Sequence, residues 1–345
     1  MGRDVAPSGR PTPTRRIDVF NGDADGICAL HQLRLAAPAD SELVTGVKRD
    51  IALLERVAAR LAERDCAGAE LLVLDISLDS NAAPLRRLLA AGASVDYFDH
   101  HAAAQAFAHP GLRLFWDDCP DCCTSILVDR YLDGRYRPWA VAAAFGDNLA
   151  APARALAALA GLDGAATAAL EQLGQVLNYN AYGDCVADLH ICPEQLYRAV
   201  SAYADPFAFI ADSPCHALLL DGYQADCARL HSLRPHWQRP GGAVYVLPPA
   251  PWARRVSGVL ANQLAAAGNA ASFAILSCHA DGHYIVSVRS GAPAEHSAHG
   301  LCEQFPGGGG RRAAAGINHL PAAEVEYFIE QFRRYFALPE QHHGH

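Results

Sequence analysis

At 345 residues the chain is longer than one ordinary hydrophobic core requires and suits two domains. Its 51% hydrophobic and 19% charged content is that of a folded soluble protein, and no stretch approaches the ~20 uninterrupted apolar residues of a membrane helix. A net charge of −9, from 37 acidic against 28 basic side chains, argues against long tracking of a nucleic-acid backbone, which needs many basic phosphate contacts; a small anionic substrate gripped by metal and a few arginines stays compatible. Eleven cysteines, an odd number without an export signal, are read as reduced thiols of a cytoplasmic protein. "MGRDVAPSGRPTPTRR" reads as a flexible leader, set at residues 1–14.

From residue 15 onward, short apolar runs alternate with helical ones: "IDVF" then "GICALHQLRLAA", "ELVTGV" then "DIALLERVAARLAER", "LLVLDI" then "NAAPLRRLLAAG", and "SVDYF" before "DHH". This predicts a parallel sheet covered on both faces, with binding chemistry at the carboxyl ends of its strands. Asp23 and Asp25 follow the first strand, Asp75 ends "LLVLD", and Asp99, His100 and His101 end "VDYFDHH". Taken singly, each acid is a turn or cap residue. Three coincident strand ends, with two histidines, predict one edge of one sheet, and Asp147 in "WAVAAAFGDNLA" is a fourth contributor. Carboxylates and imidazoles gathered this closely repel or desolvate one another without cations, so a metal site is expected; oxygen-rich ligands favour Mn²⁺ or Mg²⁺ over structural zinc.

Beyond residue 150 an Ala-rich, then Pro-broken helical region reads as completing the first lobe. "LNYNAYGD" either lines a binding surface, where a tyrosine could stack on a base, or supplies turn and cap residues. After Pro240 a strand "AVYVLP", a helix around "RRVSGVLANQLAAAG", a hairpin turned at Asp281-Gly282 and a closing helix "AAEVEYFIEQFRRYFAL" predict a smaller α/β lobe. "GGGG" at Gly307–Gly310 is either a plain flexible loop or a cradle of backbone N–H groups for an anion. Cys119, Cys122 and Cys123 form a lone CxxC pattern, read as small thiols near a helix start instead of a zinc site.

In "NGDADG", "VLDIS", "DYFDHH" and "AFGDN", in that order, the chain resembles the DHH phosphoesterase family, over roughly its first 150 residues. "RRVSGVLANQLA", "YIVSVRSG" and "GGGGRRAAAGIN" resemble the DHH-associated substrate domain, which points to the branch of RecJ-type exonucleases, nanoRNases and small-nucleotide phosphodiesterases. The resemblance implies a DHH catalytic domain over 15–240, a substrate-binding domain over 241–338 with a cleft between them, and a tail at 339–345. It implies two divalent cations, Mn²⁺ or Mg²⁺, bridged by Asp75: one held by Asp23 and Asp75 with Asn21, the other by Asp25, Asp75, His100 and Asp147. His101 would face the substrate phosphate or leaving oxygen, or else serve Asp99, which orients imidazole. Arg289, Ser290, Gly308, Gly309, Gly310, Arg311 and Asn262 would bind substrate, and Arg312 is read as solvated. The chain departs from the family at Asn21, where a His or Asp is usual, and at Arg311, where a His is usual.

The expected activity is metal-dependent hydrolysis of short oligonucleotides or small nucleotides by a water bridging two metals, with no membrane partner and with homodimerisation open. Alternatives are a polyphosphatase, a nucleoside-bisphosphate phosphatase, or a nucleotide sensor with a weakened metal site. Haloacid-dehalogenase chemistry also begins with Asp-x-Asp after a strand, but it requires a later Lys where this chain supplies "DHH" and "GDN".

Overall fold

The computed structural model describes residues 15–61, 66–267 and 271–336; the segments read as leader and tail lie outside them. The chain divides into two compact units. One runs up to Gln175 and also takes Pro193–Asp212, while the other comprises Val176–Cys192 and the chain from Ser213 onward. The helical stretch after residue 150 is therefore shared between them.

The first unit is built on five parallel strands, β1 (Arg16–Asn21), β2 (Glu42–Gly46), β3 (Glu70–Leu74), β4 (Ser94–Asp99) and β5 (Leu112–Trp116), in the order β2-β1-β3-β4-β5. Alternate residues point to opposite faces. Ile17, Val19, Val44, Leu71, Val73, Val95 and Tyr97 make one buried face with helices α2 (Leu53–Arg60) and α3 (Leu78–Ala90), through Leu54, Val57, Leu85 and Leu88. Full burial of a side chain such as Val19 or Val73 contributes about 1.5–3 kcal/mol. The other face carries Phe20, Leu74 and Phe98, all buried, and Asp18, which pairs with Arg34 of α1 (Ala24–Ala36). Helices α1, α4 (Thr124–Tyr131) and α5 (Arg137–Gly146) pack against one another. The sheet is doubly wound, as the sequence predicts.

The strand order creates the binding edge. The chain leaves β1 towards β2 on one side and β3 towards β4 on the other, so the carboxyl ends of β1 and β3 flank a topological switch point, where open α/β sheets hold ligands. The register pairs Phe20 with Leu74 and Leu74 with Phe98, which brings Asn21, Asp75 and Asp99 to the ends of neighbouring strands.

The second unit has a six-stranded sheet. Its strands are β6 (Trp237–Arg239), β7 (Gly242–Leu247), β8 (Ser272–Cys278), β9 (Tyr284–Arg289), β10 (Gly308–Gly310) and β11 (Ala314–Leu320), in the order β10-β11-β9-β8-β7-β6. Only β7 and β8 run parallel. Gly282, at φ +93°, turns the β8–β9 hairpin at the predicted place. The closing helix Val325–Tyr335 buries Phe328 and Phe332 against Val286, Val288 and Ile317. "LNYNAYGD" serves structure: Tyr179 is buried and donates to Asp226, while Asn180 binds the backbone of His190 and Ile191. Among the described residues, no helix is long and apolar enough to cross a membrane.

Candidate metal centre

Each acid of the centre is positioned by local chemistry. Asp23 caps α1, its Oδ1 accepting from the N–H groups of Asp25 (3.1 Å) and Gly26 (3.0 Å). Gly26 is required there, because a Cβ would stand 2.1 Å from the Asn21 carbonyl oxygen. Asp25 is fully buried, and its two carboxylate oxygens accept from Thr124 N–H and Ser125 N–H at 2.7 Å each, at the start of α4. Asp75 turns the chain out of β3 at φ +59°, a left-handed conformation that Asp tolerates better than most residues. Its Oδ1 accepts from Thr124 Oγ1 at 3.1 Å. Asp147 stands at the carboxyl end of α5.

These side chains meet at His100. Its Nε2 lies 3.4 Å from Asp75 Oδ1, 3.7 Å from Asp147 Oδ2 and 4.0 Å from Asp25 Oδ2. Four donors from separate elements thus converge on one point, three oxygens and one imidazole nitrogen. That donor set suits Mn²⁺ or Mg²⁺. The electrostatics agree: burial and then the charges of Asp25, Asp23 and Asp147 push Asp75 well above the usual carboxylate range. Burial also raises Asp147, against the pull of Lys48. Such a cluster needs positive charge to be fully ionised.

His101 behaves differently. Its Nδ1 lies 2.7 Å from Asp99 Oδ1, and Asp99 also accepts from the N–H groups of Leu78, His100 and His101. Burial disfavours the charged ring, but the hydrogen bond and charge of Asp99 win and raise its pKa. The ring is 42% exposed, and one of its nitrogens lies within 4.8 Å of donor atoms of Asp75 and His100.

The other corner of the centre holds a cation that the sequence reading passed over. Lys48, two residues beyond β2, pairs its ammonium with Asp23 and lies 3.2 Å from Asp147 Oδ1. Burial alone would raise Asp23, but Lys48 and the Gly26 amide bring it below its ordinary value. Asn21 donates to the Lys48 carbonyl at 3.2 Å, and its Oδ1 is buried without a hydrogen-bond partner. The residues present therefore fit one divalent ion at the His100 corner. A second ion at the Asp23 corner would have to displace the Lys48 ammonium from Asp23 and Asp147, and Asn21 brings no charge there. Thr124 was missed too, because a residue that acts through both a backbone N–H and a hydroxyl leaves no motif. Lys48 did leave one: it follows a strand, as the acids do.

The residues expected to bind substrate lie in the second unit. Arg289, on β9, is mostly buried; its Nη1 binds Ser287 Oγ (3.0 Å) and the Val288 carbonyl (3.1 Å), and burial holds its pKa below the usual guanidinium value. No ion pair among the described residues engages it. Ser290 Oγ donates to the His296 carbonyl at 2.6 Å. Gly308, Gly309 and Gly310 form the edge strand β10, and backbone crowding independently requires two of them. A Cβ on Gly308 would meet the Cys302 carbonyl oxygen at 1.8 Å, and one on Gly310 would meet Ala315 Cα at 2.6 Å. Arg311 and Asn262 are exposed. Arg312, read as solvated, is exposed and also ties down the Pro293 (3.2 Å) and Ala294 (2.8 Å) carbonyls. Cys122 and Cys123 are buried at the start of α4, with burial pushing the Cys122 thiol up to about 12, and Cys119 is exposed. A concavity of about 380 Å³ at the opposite, amino edge of the first sheet is lined by Arg16, Arg34 and Arg113, each already paired with an acid.

The fold is that of a two-unit RecJ-type α/β protein, with an N-terminal parallel-sheet domain and a C-terminal domain. The exonuclease RecJ bound to manganese matches at TM-score 0.61 and 21% identity, over 94% of this chain and 90% of that one. RecJ from Thermus thermophilus in complex with Mn²⁺ matches at TM-score 0.55 and 19% identity, over 94% of this chain and 53% of that one. PggH, a pGpG-specific phosphodiesterase from Vibrio cholerae, matches at TM-score 0.53 and 10% identity, over 94% and 99%. At these identities the likeness is one of fold. Comparison with protein families and with curated proteins finds no match.

Proposed function

We propose that this chain is a metal-dependent phosphodiesterase of the DHH type, acting on short oligonucleotides or on a small nucleotide such as a linear dinucleotide. The observation that carries the reading is the convergence of Asp25, Asp75 and Asp147 on His100 Nε2 at the switch point of a doubly wound sheet. The four motifs shared with that family and the fold shared with a manganese-bound exonuclease and a pGpG-specific phosphodiesterase support it. The net charge of −9 favours a short substrate over a long strand.

In this reading Asp25, Asp75, His100 and Asp147 hold a divalent cation, which when bound polarises a phosphoryl oxygen and lowers the pKa of a water. The chain's own residues do the rest. Thr124 fixes two carboxylates at once, Asp25 through its amide and Asp75 through its hydroxyl. Asp99 holds His101 at Nδ1 and favours its protonated form, leaving the other ring nitrogen to give a proton to the leaving oxygen. Arg289, half-buried and without an acid partner among the described residues, would receive a phosphate of the substrate.

The test is product analysis with Mn²⁺ over short RNA, short DNA, linear dinucleotide, nucleoside bisphosphate and polyphosphate. Mn²⁺-dependent release of mononucleotides, lost in Asp75→Asn, is expected. Turnover of polyphosphate alone would move the reading to a polyphosphatase. Nucleotide binding without any turnover would make the chain a sensor, the reading that neutral Asn21 and engaged Asp23 favour.

A further inference from the structure

We propose that Lys48 takes the place of one of the two cations, so that this chain works with a single divalent ion beside a fixed ammonium. The inference rests on the proposed function and concerns how the same site is charged.

Three features of the Asp23 corner support it. First, Asp23 and Asp25 both accept from backbone amides at a helix start, but only Asp23 also pairs with a cation, through Oδ2 and Lys48. Second, Lys48 spans the position between Asp23 and Asp147, the two carboxylates on either side of the corner. Its stem leaves the chain just beyond β2, the strand next to β1, so the backbone itself aims the ammonium at the switch point. Third, Asn21 brings no negative charge to set against Lys48. Its amide group donates to the Lys48 carbonyl, so the neutral residue also helps to hold the lysine backbone in place.

Charge balance points the same way. The corner and the His100 point together present the carboxylates of Asp23, Asp25, Asp75 and Asp147. One divalent ion with one ammonium leaves this set close to neutral but still negative, whereas two divalent ions with the ammonium would make it positive. A mobile second ion therefore has to compete with a positive charge that is covalently attached and already hydrogen-bonded. An ammonium carries half the charge of a divalent ion and cannot polarise a shared water as a metal would. Its role becomes neutralising Asp23 and Asp147 and attracting the phosphoryl oxygens of the substrate, which makes Lys48 a positioning and charge-supplying residue.

The experiment counts ions without using turnover. Purified full-length protein, stripped with chelator and titrated with Mn²⁺, is followed by equilibrium dialysis and by electron paramagnetic resonance, in wild type, Asp75→Asn, Lys48→Gln, Lys48→Met and Lys48→Arg. Ions are counted as those lost in Asp75→Asn, because His279, Asp281 and His283 of the other unit also cluster closely enough to take a metal. One Asp75-dependent ion in wild type, with the spectrum of an isolated Mn²⁺, is expected. Lys48→Gln or Lys48→Met should admit a second, exchange-coupled ion, and Lys48→Arg should not. Two coupled ions in wild type, or no gain in either neutral variant, would overturn the inference while leaving the proposed function standing. No Asp75-dependent ion at all would overturn both.

Discussion

Removing the charge of Asp75 should stabilise the metal-free protein while destroying its metal site. Asp75 and Asp25 place carboxylate oxygens 3.4 and 4.0 Å from the same His100 nitrogen, and Asp147 places one at 3.7 Å. Each pair involving Asp75 is therefore closer than about 7.5 Å, and at an effective dielectric of about 20 each costs about 2 kcal/mol when both are ionised. The protein avoids part of that cost by keeping a proton on Asp75, whose pKa burial and its acidic neighbours raise. Asn at this position keeps an oxygen for the Thr124 hydroxyl and tolerates the φ of +59°. The net gain for Asp75→Asn is about 2 kcal/mol, which for a cooperative unit of this size raises Tm by about 4–8 °C. Because the folded pKa lies above the unfolded one, the wild type has its full stability below the unfolded value and loses it as pH rises towards the folded value. The advantage of the variant should thus open between acid and neutral pH. Calorimetry in EDTA across that range measures it; with saturating Mn²⁺ the order reverses, since only the wild type gains by ligation. A variant that melts at or below wild type in EDTA at neutral pH would refute the repulsion argument.

Thr124→Val keeps the amide on Asp25 and removes the hydroxyl on Asp75; leaving that buried acceptor unpaired should cost about 1–3 kcal/mol in urea unfolding and weaken Mn²⁺ binding by calorimetry. Asp99→Asn should return the raised His101 pKa towards the ordinary value of about 6.5, read by NMR in EDTA. The stability that His101 adds is complete below its unfolded pKa and fades as pH rises through the folded one, so this variant should lose most stability at acid pH. In the second unit, Arg255→Ala takes from buried Asp226 its partner at 2.7 Å and leaves it Tyr179 and, at 3.6 Å, Arg229; the loss should cost about 3 kcal/mol in urea unfolding, the low end for a broken buried pair. Arg255→Ala combined with Asp226→Asn should recover much of that loss.

The first sheet was legible because its residues had to satisfy two rules at once. Runs such as "LLVLD" are apolar enough to be buried on both faces and end in an acid that is buried only with hydrogen-bond partners or a cation beside it, so one pattern marked both strand and site. Strand β5 was not read from "LRLFW", whose Arg113 faces Asp96 and whose aromatic residues are only partly buried, as suits an edge strand. Lys48 was passed over because a Lys after a strand is an ordinary solvated residue unless the strand order is known. Only the β2-β1-β3 arrangement brings it to Asp23. Asp25 and Thr124 are 99 positions apart in sequence, and nothing local announces that one will hold the other. In the second unit, "GGGG" carried two meanings that sequence could not separate. Close packing against Cys302 and Ala315 accounts for Gly308 and Gly310 without any ligand, which leaves Arg289 as the stronger phosphate candidate there.

Diffraction at the manganese edge from a crystal soaked in Mn²⁺ locates the ion itself. An anomalous peak ligated by Asp25, Asp75, His100 and Asp147 is expected, with Lys48 still on Asp23. No peak among these four side chains, or one bound elsewhere while they stay as they are here, would contradict it.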